Sequence, residues 1–219
     1  MKIGILGGTF NPVHLAHLRI AEEVREGCGL DQVLFMPAAI PPHKSVAEKV
    51  PFRHRLAMVE AAVADNPAFV ASDLEGRRTG KSFSVHTLEI LQEEDIGADF
   101  YFLMGMDSFR EIESWYQYQR LFDLAHIVVT SRPDVPSGDP MSLVPVAMAD
   151  QFCYDSAAKS LLHQNGKKVI FFTETLLDIS STDIRHKVAE GFSVRYLVPP
   201  SVERYISENG LYRAAERSI

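Results

Sequence analysis

His14 and His17, a few residues beyond Gly7-Gly8-Thr9, are the side chains whose types and spacing point most directly to chemistry. On a helix, a separation of three puts both imidazoles on one face, so both can address the same anion. Glycines before them let backbone N–H groups approach a ligand closely. The opening of a helix adds unpaired N–H donors and a partial positive charge, which suits phosphate. The stretch Gly7-Gly8-Thr9-Phe10-Asn11-Pro12-Val13-His14-Leu15-Ala16-His17 reads as a nucleotide-phosphate site. Gly4, Gly7 and Gly8 do not fit G-x-G-x-x-G, no acidic residue ends the second strand, and G-x-x-x-x-G-K-[ST] is absent. Two other accounts of the pair remain, a tight turn with two partly exposed histidines and a His-x-x-His metal pair. The spacing supplies no carboxylate or cysteine to complete the metal set.

Further cations and hydroxyls fall at similar places. Pro41-Pro42-His43-Lys44 is a loop after the second strand, either an ordinary solvated loop or one from which Lys44 points over the rim that holds His17. In Ile179-Ser180-Ser181-Thr182-Asp183-Ile184-Arg185 the hydroxyls cap a helix start, and Arg185 in the next turn can reach an anion there. A well-capped helix with a solvent-facing arginine is the plainer account of the same residues. Two cationic helix starts on one rim suggest a ligand with several phosphates, such as a nucleoside triphosphate. Trp115, the one tryptophan, sits in a polar context, where it serves either core packing or stacking on a base or pyridine.

The elements that must carry these residues alternate. Ile3–Leu6, Val33–Met36, Phe69–Ala71, Asp99–Met104, Ile127–Thr130 and Val169–Phe172 are short apolar strand candidates. Helical periodicity runs to about Cys28, with Gly27 and Gly29 ending the helix. It resumes after Pro51 with Leu56, Val59, Ala62 and Val63 inward, again through Val85, Leu88 and Leu91, and beyond Pro200. Asp73–Ser82 reads as an exposed basic loop, and residues 134–166 are the least legible. Strands alternating with longer helices give an α/β fold: a Rossmann-like, doubly wound, mostly parallel sheet with helices on both faces, in one domain over residues 1–219. Ligands in such sheets bind beyond the carboxyl ends of the strands. Gly7, Pro37, Gly105, Arg132 and Thr173 all follow expected strands, so every motif falls on one rim.

A chain that is 46% hydrophobic and 23% charged can bury one substantial core. Its net charge of −7 argues against duplex nucleic acid as a main partner. Cys28 and Cys153 have no zinc-type spacing, and Cys28 falls on an apolar stripe as a buried free thiol. No apolar run approaches the roughly 18 residues that span a bilayer, and Met1-Lys2 leads straight into a strand. A cytoplasmic enzyme or binding protein without a membrane partner is expected; homo-oligomers are compatible with this reading but not specified by it.

Taken together these motifs resemble the histidine-x-glycine-histidine nucleotidyltransferases, and more narrowly the bacterial nicotinate-nucleotide adenylyltransferase family. The resemblance rests on Gly-Gly-Thr-Phe-Asn-Pro, Pro41-Pro42-His43-Lys44, Ser82-Phe83-Ser84, Gly105-Met106-Asp107-Ser108, Trp115-Tyr116, Ser131-Arg132-Pro133, Ile179-Ser180-Ser181-Thr182-x-Ile184-Arg185 and Gly210-Leu211-Tyr212-Arg213. It implies ATP and nicotinate mononucleotide as substrates, deamido-NAD and pyrophosphate as products, and magnesium arriving with ATP rather than in a dedicated protein site. The resemblance further implies catalytic roles for His14, His17, Lys44 and Arg185. ATP contacts fall to Gly7, Gly8, Thr9, Phe10, Ser180, Ser181 and Thr182 as well as to the histidines and Arg185. The mononucleotide falls to Thr9, Lys44, Ser84, Asp107, Trp115, Tyr116 and Arg132. Three positions depart from the family pattern: Ala16 stands where glycine names the superfamily, Ser84 replaces a commoner threonine, and Ala39 a common asparagine. Adenylyl or cytidylyl transfer to another phosphate, and a nucleotide sensor without turnover, share the phosphate residues.

Overall fold

The computed structural model describes residues 1–41, 50–131, 139–173 and 175–213. Eight strands form one sheet: β1 (Lys2–Gly8), β2 (Gln32–Pro37), β3 (Phe69–Ala71), β4 (Asp99–Gly105), β5 (His126–Ser131), β6 (Phe152–Asp155), β7 (Ser160–His163) and β8 (Lys168–Thr173). Their order is β3-β2-β1-β4-β5-β8-β7-β6. The first six strands in that order are parallel, and β7 and β6 close one edge as an antiparallel hairpin. The sheet is therefore mostly parallel, as expected, with a hairpin in the segment that sequence left illegible.

Alternation along β4 builds both layers at once. Phe100, Phe102 and Met104 enter the core beneath α3 (Ser84–Glu94), α4 (Met106–Arg110) and α5 (Tyr118–Leu124). Tyr101 and Leu103 enter the opposite core, under α1 (Leu15–Cys28), α2 (Phe52–Val63), α6 (Ser181–Ala189) and α7 (Pro200–Glu208). Full burial of one such side chain stabilises by about 1.5–3 kcal/mol, so a strand buried on both faces needs a near-continuous apolar run.

Four local expectations change. β1 runs on through Gly7 and Gly8, which pair with Met36 and Pro37 of β2, so the turn begins only at Thr9. Gly27 does not end α1. It lies inside the helix, where an added methyl carbon would run into the Phe172 ring of β8, while Gly29 caps the helix with φ 61°. On α2 the inward positions are Arg55, Met58, Val59, Ala62 and Val63, and Leu56 is only half-buried. Finally, Leu74–Arg77 is a 3-10 turn that buries Leu74 and Glu75, so the segment expected to be an exposed loop instead tucks two side chains inward.

Candidate active site

The strand order reverses at β1, with β2 on one side and β4 on the other, and a cavity of about 610 Å³ opens beyond the carboxyl ends of these strands. Gly7, Gly8 and Thr9 line it from the end of β1, and Asp107 and Ser108 from the first turn after β4. His17, Ser84, Trp115 and Tyr116 complete much of the wall. Gly7 leaves its cavity face open, since only the Phe102 ring lies within 4.0 Å of an added Cβ. Gly8 has the opposite reason to be glycine: an added Cβ would press on the Phe10 ring at 3.2–3.3 Å.

Local physics explains the histidines. His14 is the N-cap of α1, and the helix carries no acidic residue in its first turn, so its positive end is left for a ligand. The His17 Nδ1 accepts a hydrogen bond from the His14 backbone N–H at 3.2 Å. A neutral His17 ring must then carry its proton on Nε2, which is left free to donate. The two imidazoles stack with centroids 3.7 Å apart and planes at 26°. Burial lowers the His14 pKa to about 4. Burial, and then the neighbouring His14, hold His17 well below the ordinary imidazole value. Without an anion to compensate them, both rings are neutral at pH 7. Among the described residues, His14 Nδ1 has no hydrogen-bond partner.

Phe10 holds the pair in place from behind. Its backbone is left-handed at φ 47°, and its ring is buried against Phe35 and lies edge-on to His17 with centroids 5.0 Å apart. Expected to touch ATP, Phe10 has its ring committed to the core.

The second cationic helix start reaches the same loop. Arg185 Nη1 donates to the Asn11 carbonyl at 2.9 Å, and Ser181 Oγ donates to the Pro12 carbonyl at 2.8 Å. Arg185 Nη2 also bonds Thr182 Oγ1 at 3.2 Å, while Ser180 caps α6 by accepting from the Asp183 N–H. Both helix starts thus meet at the loop Thr9–Val13. Ser180 and Thr182 are exposed, and Arg185 is half-buried.

Trp115 stands where the core meets the cavity. Half-buried, it packs at the margin of the core, edge-on to Phe102 at 6.3 Å, and it also lines the cavity. Exposed Tyr116 stacks on Phe83 at 4.5 Å. Lys44 and Arg132 lie outside the described residues.

Three residues here were given no role by sequence reasoning, although Tyr212 stood in the Gly210-Leu211-Tyr212-Arg213 motif. Arg55 is 1% exposed and donates to the carbonyls of Thr9, Val50 and Ala39 at 2.8, 3.1 and 3.3 Å. Its signal was present: it precedes Val59 by four positions, so it lies on the inward stripe of α2. Tyr212 donates from its hydroxyl to Asn11 Oδ1 at 2.8 Å. Glu75 lines the cavity and accepts from Thr87 Oγ1 at 2.9 Å; no sequence pattern marked it.

Comparison with known proteins bears on the whole chain. The model of the cytidylyltransferase-like family matches residues 5–187. A probable nicotinate-nucleotide adenylyltransferase of Syntrophotalea carbinolica is 60% identical, with all of both chains covered. One from Geobacter sulfurreducens is 54% identical over 97% of this chain and 98% of its own. Among solved structures, Plasmodium falciparum nicotinic acid mononucleotide adenylyltransferase complexed with NaAD superposes with a TM-score of 0.72. That match is 18% identical and covers 96% and 97% of the two chains, which is a likeness of fold. His17 and the Gly7-Gly8-Thr9 strand end line the switch-point cavity, while His14 and the α6 residues Ser181 and Arg185 stand beside it on the Thr9–Val13 loop; with relatives this similar from end to end, the chain belongs to the nicotinate-nucleotide adenylyltransferase family.

Proposed function

We propose that this protein transfers the adenylyl group of ATP to nicotinate mononucleotide, giving deamido-NAD (nicotinate adenine dinucleotide) and pyrophosphate, as a step of NAD biosynthesis. The observation that carries the reading is the meeting of the α1 and α6 starts on the Thr9–Val13 loop, whose first residue, Thr9, lines a cavity of about 610 Å³ together with His17. An oxygen of the mononucleotide 5′-phosphate attacks the α-phosphorus of ATP. The new P–O–P link forms as the bond from that phosphorus to the bridging oxygen breaks, and pyrophosphate leaves. No protein nucleophile takes part, so catalysis consists of holding two phosphates in line and neutralising charge.

His17 donates a hydrogen bond from Nε2–H to the α-phosphate as charge develops there, keeping its proton, and His14, stacked behind it, joins in holding the triphosphate. Ser180, Ser181, Thr182 and Arg185 receive the β- and γ-phosphates at the start of α6. Lys44 neutralises phosphate of the reacting pair, and Arg132 belongs with the mononucleotide. Gly7, Gly8 and Thr9 offer backbone N–H groups and a hydroxyl at the edge of β1, while Asp107 accepts a ribose hydroxyl. Trp115 stacks on the pyridine ring; Ser84 and the backbone beside Tyr116 receive its carboxylate. Phe10 serves through its backbone and by fixing His17.

Magnesium enters with the triphosphate. The donors around the histidines are imidazoles, hydroxyls and a guanidinium, a poor set for a cation that prefers six oxygens, and no step is routed through the metal. Among the described residues no helix is long and apolar enough to cross a membrane, and a cytoplasmic place fits this chemistry.

The test follows pyrophosphate release from ATP with nicotinate mononucleotide, its amide, phosphopantetheine or a small phosphate as acceptor. Turnover greatest with nicotinate mononucleotide is expected. Turnover with another acceptor alone overturns the substrate, and binding of ATP without turnover on any acceptor favours a sensor.

A further inference from the structure

In the loop Thr9–Pro12, Thr9 lines the cavity, and the loop is gripped by Arg185 and Ser181 of the ATP set and by two residues, Arg55 and Tyr212, that belong to none of the ligand sets assigned above. Arg55 holds the Thr9 carbonyl and reaches the Ala39 and Val50 carbonyls with its other nitrogens. Burial lowers the Arg55 pKa, with Tyr212 and Glu75 opposing that effect, but the group remains a cation. A buried guanidinium bonded to neutral carbonyls is expensive, and a chain keeps one where a flat, multi-pronged donor is needed. On the neighbouring residue, Tyr212 fixes the side-chain amide of Asn11 while Arg185 holds the Asn11 carbonyl. Asn11 is 5% exposed, so its amide has little freedom once both bonds are made. The Tyr212 hydroxyl is itself pushed up by burial and stays protonated, a donor at any working pH.

We propose that Tyr212 and Arg55 are positioning residues for adenylyl transfer, which clamp the Thr9–Pro12 loop from behind and so fix Thr9 and the His14–His17 pair against the α-phosphate. Neither side chain lines the cavity. Tyr212 acts through Asn11, Arg55 through Thr9. The inference rests on the adenylyl-transfer reading, so the wild-type reaction with ATP and nicotinate mononucleotide is measured first. An inactive wild type sinks that reading; an active wild type leaves this inference to stand or fall on the variants.

Tyr212→Phe deletes one hydroxyl and keeps the ring. It is expected to lower kcat about fivefold, the factor that one neutral hydrogen bond corresponds to, with both KM values within about twofold. In an Asn11→Ala background the same change is expected to leave kcat unaltered, because the path through Asn11 is already cut. Arg55→Lys keeps the charge but cannot span three carbonyls, and is expected to lower kcat by at least tenfold while ATP still binds in calorimetry. Wild-type kcat in either single variant overturns the role of that residue. Equal losses in the presence and absence of Asn11 overturn the path assigned to Tyr212. A variant that no longer melts cooperatively assigns its residue to the fold alone and likewise overturns the proposal for it.

Discussion

At the scale of single residues, the neutral histidine pair carries the sharpest consequences. His17 has spent Nδ1 on the backbone of His14, so its contribution rests on one proton at Nε2. His17→Ala is expected to lower kcat by about two to three orders of magnitude, as loss of a charge-stabilising donor does elsewhere. Steady-state pyrophosphate release checks it; near-normal turnover in a folded variant would remove His17 from the chemistry. The depressed pKa values also fix a sign. Near pH 6 both rings are neutral in the empty site, and a polyphosphate placed against them favours the charged form, so ATP binding takes up protons. Calorimetry in two buffers of different ionisation enthalpy should give different apparent heats, and ATP affinity should weaken as pH rises through the loaded pKa. Identical heats would mean that the rings keep their protonation state. Trp115→Ala is expected to raise KM for the mononucleotide by about 1–3 kcal/mol of lost stacking; an unchanged KM would leave the ring with its core contact to Phe102 alone. Sequence made the histidines legible because two strong donors beside glycines have few other uses. It left Arg55 unread despite its place on the inward stripe of α2, because an arginine on an amphipathic helix is assigned to water unless its partners are known, and two of its three carbonyl partners lie 46 and 16 positions away.

Elements explain what periodicity can and cannot tell. Strands such as Asp99–Gly105 were legible because both of their faces are buried, which demands an apolar run. The β6–β7 hairpin was not, because its strands are four residues long and β6 turns Cys153 and Tyr154 outward, leaving no alternation to read. The Leu74–Arg77 turn was misread for a related reason: polar neighbours mask a short segment that buries only two side chains. Gly27 shows that a glycine near a helix end can serve packing rather than termination. Gly27→Ala improves helix propensity but drives a methyl into Phe172. A net loss of about 1–2 kcal/mol is expected from the overpacking, read as a lower midpoint in urea; an unchanged midpoint would mean that Phe172 yields without cost.

On the scale of the whole molecule, the two rims of the sheet share a sensitivity to acid. Opposite the cavity, Lys167 and His126 bond the Asp99 carboxylate at 2.7 and 3.2 Å. Burial pushes Asp99 up, but these partners outweigh it and hold its carboxyl below the usual range. Burial, opposed by Asp99, leaves His126 below the ordinary imidazole value. A histidine whose folded pKa is depressed stabilises fully above its unfolded value and less as pH falls, since the unfolded chain binds the proton first. His14, His17 and His126 therefore all lower stability as pH drops from about 6.5 towards 4, and Asp99 adds its loss below that. The melting midpoint of the ligand-free protein should fall through this window and recover in part with ATP; a flat profile from pH 7 to 4.5 would overturn the assignment.

One contact also bears on how the protein is made. The clasp on Asn11 comes from a tyrosine 201 positions further on, and a ribosome adding about 5–20 residues per second needs roughly 10–40 s to reach it. Throughout that interval the nascent chain holds both imidazoles without the grip that aims them. Stalled or clipped products ending before α7 would lack this grip and also the Val202 and Ile206 side chains that α7 packs into the core, so a loss of turnover well beyond that of Tyr212→Phe is expected of them.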